Sequence, residues 1–381
     1  MLLPYRYITT TIFVLLFVAP VVAQRLPAGD PPIDAEATRQ TRALLANLRD
    51  LSSDHILFGQ EDALAYGVGW RGHHEWQSDI EEVCGMSPAI FGWDVSKLGT
   101  SHMNIDSVNF KHMQEWIRLV HRQGGINTIS WHLDNPVTGG DSWDVGEKVV
   151  REILPGGTHH AAYLTKLDDF ATFVRGVRRG FPFRRDVPIL FRPFHEHSGS
   201  WFWWGKDHCT PEEYVALWHF TVQYLKEEKK LHNLLYVYSP DIVESKEEYM
   251  SRYPGDDYVD VFGTDNYHDF RNEGTVINVA RRLRMVVEMA DDHGKIAALT
   301  ETGLESIPES DWWTQKLMKA LTSDPVASRI AYAMVWRNRD KTHHYGPYPT
   351  HPSAGDFKQF CADDTILMRE ELPRRMYRRK K

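Results

Sequence analysis

Two glutamates stand where apolar runs end. Glu196 closes VPILFRPFHE (187–196), and Glu301 lies in KIAALTETG (295–303). Two carboxyl groups facing each other across a cleft are the parts needed to break a glycosidic bond. One, protonated, gives its proton to the leaving oxygen; the other attacks the sugar carbon or activates a water. A gap of about 5–5.5 Å puts the second carboxylate within reach of the carbon, so the configuration is retained. Their neighbours suit different roles. An apolar surround of Phe194, Trp201 and Phe202 raises the pKa of Glu196 by disfavouring its charged form. Glu301 has small polar neighbours, and a hydroxyl from Tyr267 would keep it ionised. The plainer alternative makes both glutamates loop-end residues, paired with Arg192 and Arg337.

What must position these groups is a set of eight apolar runs, ending near residues 60, 94, 132, 196, 241, 267, 301 and 338, with helical patterns between them. Runs that are continuously apolar mark strands buried on both faces, as in a parallel sheet. Eight such units over this length predict an α/β fold, a (β/α)8 TIM barrel with enlarged loops after the strands, in one catalytic domain over 34–370. A doubly wound sheet fits less well, because no glycine-rich phosphate loop follows the first run. The ends of the runs read Gln60-Glu61, Trp93-Asp94, Trp131-His132, His195-Glu196, Ser239-Pro240-Asp241, Asp265-Asn266-Tyr267, Glu301 and Trp336-Arg337-Asn338. In a barrel these converge on one face and make a cleft. YGVGW (66–70), after the first strand, is placed to shape a distal part of it, whereas Trp203 and Trp204 are expected to pack under their loop.

Composition narrows the partners. A formal net charge of -8 argues against nucleic acid and anionic membranes. Residues 1–23, with Arg6, an apolar run and Val22-Ala23, have the pattern of a secretory signal peptide cleaved after Ala23. Export to the periplasm or the medium follows, as a monomer free of the membrane. A Pro-rich leader (24–33) precedes the domain, and a basic tail (371–381) is expected to be solvated. Cys84, Cys209 and Cys361 show no metal spacing, and sequence does not say which of them pair. No HExxH or comparable ligand pattern and no GxSxG elbow is present, so no metal, cofactor or serine nucleophile is implied.

RPFHEHSGSWFWWG (192–205), TDNYHD (264–269), LTETG (299–303) and AMVWRN (333–338) together resemble glycoside hydrolase family 26, with LFGQEDALAYGVGW and ISWHLDNP extending the similarity over the mature chain. The resemblance implies a barrel with glutamates on strands four and seven and a double displacement that retains configuration. It makes Glu196 the acid/base and Glu301 the nucleophile. His195 supports the site, His132 lines the −1 sugar position, Trp201 and Trp336 form sugar platforms, Tyr267 positions the nucleophile and Arg337 reaches a more distal sugar. The implied substrate is β-1,4-mannan, galactomannan or manno-oligosaccharides, cut internally or with release of mannobiose from chain ends, between which the sequence does not choose; mixed-linkage β-glucan or β-1,3-xylan is the substrate alternative. A sugar-binding barrel without catalysis is the alternative of another class. One departure is His197, where the family often has Asn.

Overall fold

The computed structural model describes residues 29–72, 76–178, 185–271, 276–374 and 376–378. The expected signal peptide therefore lies outside the described residues, as do the first part of the leader and the last residues of the tail.

All eight predicted runs are strands: β1 (Ile56–Glu61), β2 (Ile90–Asp94), β3 (Ile126–Ser130), β4 (Ile189–Arg192), β5 (Leu234–Tyr238), β6 (Val261–Asn266), β7 (Ile296–Thr302) and β8 (Ile330–Val335). Each pairs in parallel with the next, and β8 closes on β1 through Leu57 opposite Tyr332. The sheet is therefore a barrel. A two-residue strand, β9 (Ile366–Leu367), adds to the start of β1. Every residue in the eight strands is buried, the outcome required when one face looks into the barrel and the other is covered by helices.

Two cores result. Aromatic and aliphatic side chains fill the layer between strands and helices. Inside the barrel, Leu57, Ile90, Ile126, Leu190, Leu235 and Val261 pack together, and helix α1 (Arg39–Leu51) closes the lower end with Leu44, Leu45 and Leu48. Thr38 starts that helix by accepting from the Thr41 amide, as an N-cap should. Helix α2 (Asp79–Cys84) follows β1, and helix α3 (Ala354–Cys361) follows β8.

Both chain ends are held against the barrel, and for the tail this departs from expectation. The described part of the leader lies against the barrel, with the Asp30 amide donating to Gly294 O and the Ile33 amide to Asp260. The start of the basic tail is docked too. Leu372 and Met376 are buried in the inner core, and the Tyr377 hydroxyl donates to Gly125 O at 2.6 Å. Their apolar area outweighs the preference of the neighbouring arginines for water.

Candidate active site

The strand ends bring the two glutamates together. Carboxylate oxygens of Glu196, Asp265 and Glu301 all lie within 4.8 Å of one another. Glu301 gets there through an irregularity in β7. Thr264 of β6 stands opposite Leu299, but Asp265 stands opposite Glu301, so Thr300 is an extra residue. Such a bulge re-aims the side chains beyond it. Thr300 Oγ1 is anchored to Thr264 O and to Asp265 Oδ1, at 3.0 and 2.6 Å.

Glu196 sits on a tight turn in which both it and Phe194 have positive φ, 53° and 47°. Non-glycine residues avoid that conformation, at a cost of roughly 1–3 kcal/mol each. The turn is held from several sides. The Glu196 amide donates to Ser239 O, Tyr214 OH to Phe194 O and Trp204 Nε1 to His195 O.

Arg192 organises the charges. Its guanidinium pairs with Glu301 and with Asp265, the latter at 2.7 Å, and is fully buried. Burial opposes its charge, but Asp265 and Glu301 outweigh burial and raise its pKa. Glu301, 4% exposed, also accepts from the Tyr267 hydroxyl at 3.0 Å. Three carboxylates thus share one guanidinium, and Glu196 has the weakest claim on it. Among the described residues its side-chain partner is the Trp201 indole N–H, at 2.7 Å. Burial, then the charges of Asp265 and Glu301, push the pKa of Glu196 well above the carboxylate range. The direction and its largest cause, burial, are the expected ones; the part played by Trp201 is not. Trp201 donates a hydrogen bond that favours the anion, so it works against the shift.

The same three carboxylates are also the one group among the described residues with the ligand atoms to hold a cation. Arg192 already supplies the positive charge there, bound to two of the three.

The histidines form a chain beside the glutamates. Asp94 Oδ2 bonds His132 Nδ1 at 2.8 Å, and His132 Nε2 lies 3.3 Å from His195 Nε2. Burial works against both Asp94 and His132, yet their pairing lowers Asp94 to about 2 and raises His132. Burial, then Arg192 and His132, lower His195 well below the imidazole range. His197, the departure from the family pattern, is buried between Tyr214 and Tyr238 and points away from the cleft into the packed layer.

Aromatic rings line the opening. Trp201 is 39% exposed, Trp336 is half-buried, and Trp143, 45% exposed, stacks on His132 with ring centres 5.3 Å apart. Trp203 and Trp204 are fully buried under the loop, as expected. A cleft of about 430 Å³ runs from His132 past Trp143 and Trp336 to Asp106, Arg337 and Arg71. Arg337 does not pair with either glutamate. It forms an ion pair with Asp106 and donates to Tyr66 OH at 3.2 Å, and Tyr66 in turn donates to Asp62 at 2.6 Å. YGVGW forms the hairpin Tyr66–Gly67 and Trp70–Arg71 that carries this end of the cleft.

Sequence reasoning missed Trp143 and Asp106, which come from long loops with no periodic signal. It noted Asp94, Asp265 and Glu61 as strand ends without giving them roles. Glu61 is buried, and neither carboxylate oxygen has a hydrogen-bond partner. Burial and the nearby Asp62, Glu301 and Asp94 push its pKa far up. Gly92 makes room for it, since a Cβ there would collide with Glu61 Oε2.

The family model for glycosyl hydrolase family 26 matches residues 33–324. The chain belongs to glycosyl hydrolase family 26. It is 34% identical over 361 residues to a mannan endo-1,4-beta-mannosidase of Bifidobacterium adolescentis, covering 88% of this chain and 35% of that protein. It thus spans about a third of the length of that relative. Among solved structures it is similar to a beta-mannanase of this family from Bacteroides ovatus, with 40% identity, a TM-score of 0.85 and coverage of 90% of this chain and 98% of that one. A modular endo-beta-1,4-mannanase from Cellulomonas fimi is 36% identical with a TM-score of 0.82, over 90% of this chain and 78% of its own.

Proposed function

We propose that this chain is a retaining endo-β-1,4-mannanase of family 26, acting on mannan, galactomannan and manno-oligosaccharides. The observation that carries the mechanism is the approach of Glu196 and Glu301 within 4.8 Å. That separation is close to the roughly 5–5.5 Å of double-displacement glycosidases and leaves no room for a water between the sugar and the base. The choice of mannan rests on the names of the relatives.

In the first step Glu196, protonated, gives its proton to the bridging oxygen while Glu301 attacks the anomeric carbon. Burial beside Asp265 supports the proton on Glu196, and Arg192 and Tyr267 orient Glu301 and hold negative charge on it. Once the leaving chain departs, Glu196 is an anion stabilised by Trp201. It then draws a proton from the incoming water, which attacks the glycosyl–enzyme ester and frees Glu301. His132, held by Asp94 and touching His195, borders the sugar at the cleavage point. Trp201, Trp143 and Trp336 offer flat apolar faces to pyranose rings. Arg337 with Asp106 and Tyr66 binds hydroxyls farther along. The reading includes export of the protein, on the strength of the N-terminal pattern.

The test is a time course on linear mannan, galactomannan and mixed-linkage β-glucan. A ladder of manno-oligosaccharides with the β-anomer formed first is expected. Hydrolysis of the glucan alone would remove the substrate assignment. Sugar binding without any cleavage would favour the non-catalytic barrel.

A further inference from the structure

Sequence left three cysteines unassigned, and the fold separates them into a pair and a single. Cys84 is the last residue of α2, and Cys361 is the last residue of α3, the helix after β8. These two helices flank the seam where β8 closes on β1, so they pack side by side. Their C-terminal ends lie at the lower rim, near β9, because barrel helices run against the strands. There the two thiols come close enough to influence each other's ionisation. Cys209 is elsewhere, buried against Trp204 O and Arg252 beneath the Glu196 loop.

We propose that Cys84 and Cys361 are a disulfide site that staples the barrel seam from the face opposite the cleft.

The two thiols are unequal in a way that suits exchange. Cys84 is partly exposed, and its Sγ lies 3.3 Å from Met86 O. The neighbouring Cys361 thiol lowers its pKa, while burial raises that of Cys361. Cys84 is therefore the sulfur that meets an oxidant first, since the thiolate is the nucleophile. Its thiolate attacks the S–S bond of a small or protein disulfide and expels one thiolate. The Cys361 sulfur, losing its proton, then attacks Cys84 Sγ and expels the second. The protein gives up two electrons and two protons, and one external disulfide becomes two thiols.

The bond closes a loop of more than 270 residues and ties the first βα unit to the last. Cross-links over long loops restrict the unfolded chain most.

The experiment uses the purified chain, so compartment and activity do not enter it. It is treated with glutathione disulfide, alkylated and digested for mass spectrometry, with melting followed in parallel. The expected result is a linked Cys84–Cys361 peptide, alkylated Cys209 and a melting temperature about 5 °C higher that dithiothreitol reverses. Cys84→Ser and Cys361→Ser each abolish both changes, while Cys209→Ser keeps them. Three alkylated cysteines after oxidation, a link that includes Cys209, or a linked chain with unchanged melting would overturn the proposal.

Discussion

The two ends of the barrel are built on opposite rules. At the lower end the inward side chains are mostly aliphatic, and α1 lays three leucines over them. At the upper end, within a few ångströms, lie three carboxylates, a guanidinium and two histidines, together with two non-glycine residues at positive φ. The first arrangement stabilises by removing apolar surface from water. The second keeps charges out of water and holds backbone strain, each of which costs stability. A barrel tolerates this because its two ends share strands but not side chains. The lower core holds the frame while the upper end is spent on chemistry.

Substitutions at the two ends should therefore separate activity from stability. Glu301→Ala is expected to reduce hydrolysis by about 10⁴-fold or more with little change in melting, as for loss of a nucleophile elsewhere. Activity within tenfold of the parent would remove Glu301 from the mechanism. Arg192→Met breaks the rule of separation, because it strands Asp265 and Glu301 without their cation. It should abolish activity and also destabilise by about 3–5 kcal/mol; denaturant unfolding checks the second effect. Leu48→Ala, at the lower end, should cost about 2–5 kcal/mol by leaving a cavity. Its kcat/KM at 25 °C should match the parent, and a fall in kcat/KM would show that the ends communicate.

The smallest effect sharpens the electrostatic side. Glu196 must be protonated for the first step, and its pKa is raised. Activity is therefore lost as pH rises through that raised pKa. Trp201→Phe removes the hydrogen bond that favours the anion, so the alkaline limb of kcat/KM should move to higher pH. A move to lower pH would mean that Trp201 acts by drying the site instead.

The same asymmetry decides what the sequence reveals. Strands buried on both faces leave long apolar runs, so all eight could be read with their order. The residue at each run's end could be read as well, which marked Glu196, Glu301, His132, Tyr267, Trp336 and Arg337 as candidates, while the roles of His132, Trp336 and Arg337 came from the resemblance alone. What stayed hidden depends on contacts across the barrel. Pairing of the glutamates with Arg192 was legible only as an alternative to catalysis, nothing local to Arg192 says that it also holds Asp265, and nothing near Thr300 announces the bulge. Trp143 and Asp106 come from loops whose course is set by what they pack on. The docked tail was misread for the same reason: six cations in eight residues argued for solvent, while Met376 and Tyr377 had an apolar place to go.

The central claim is that one carboxylate attacks the sugar while the other transfers protons. A mannoside with a fluorine at C2 and an activated fluoride leaving group, given to the Glu196→Ala variant, traps the first intermediate. Peptide mapping should find one fluorosugar, bound through an ester to Glu301. A label on any other residue, or no label with α-anomer released from the parent enzyme, would contradict the account.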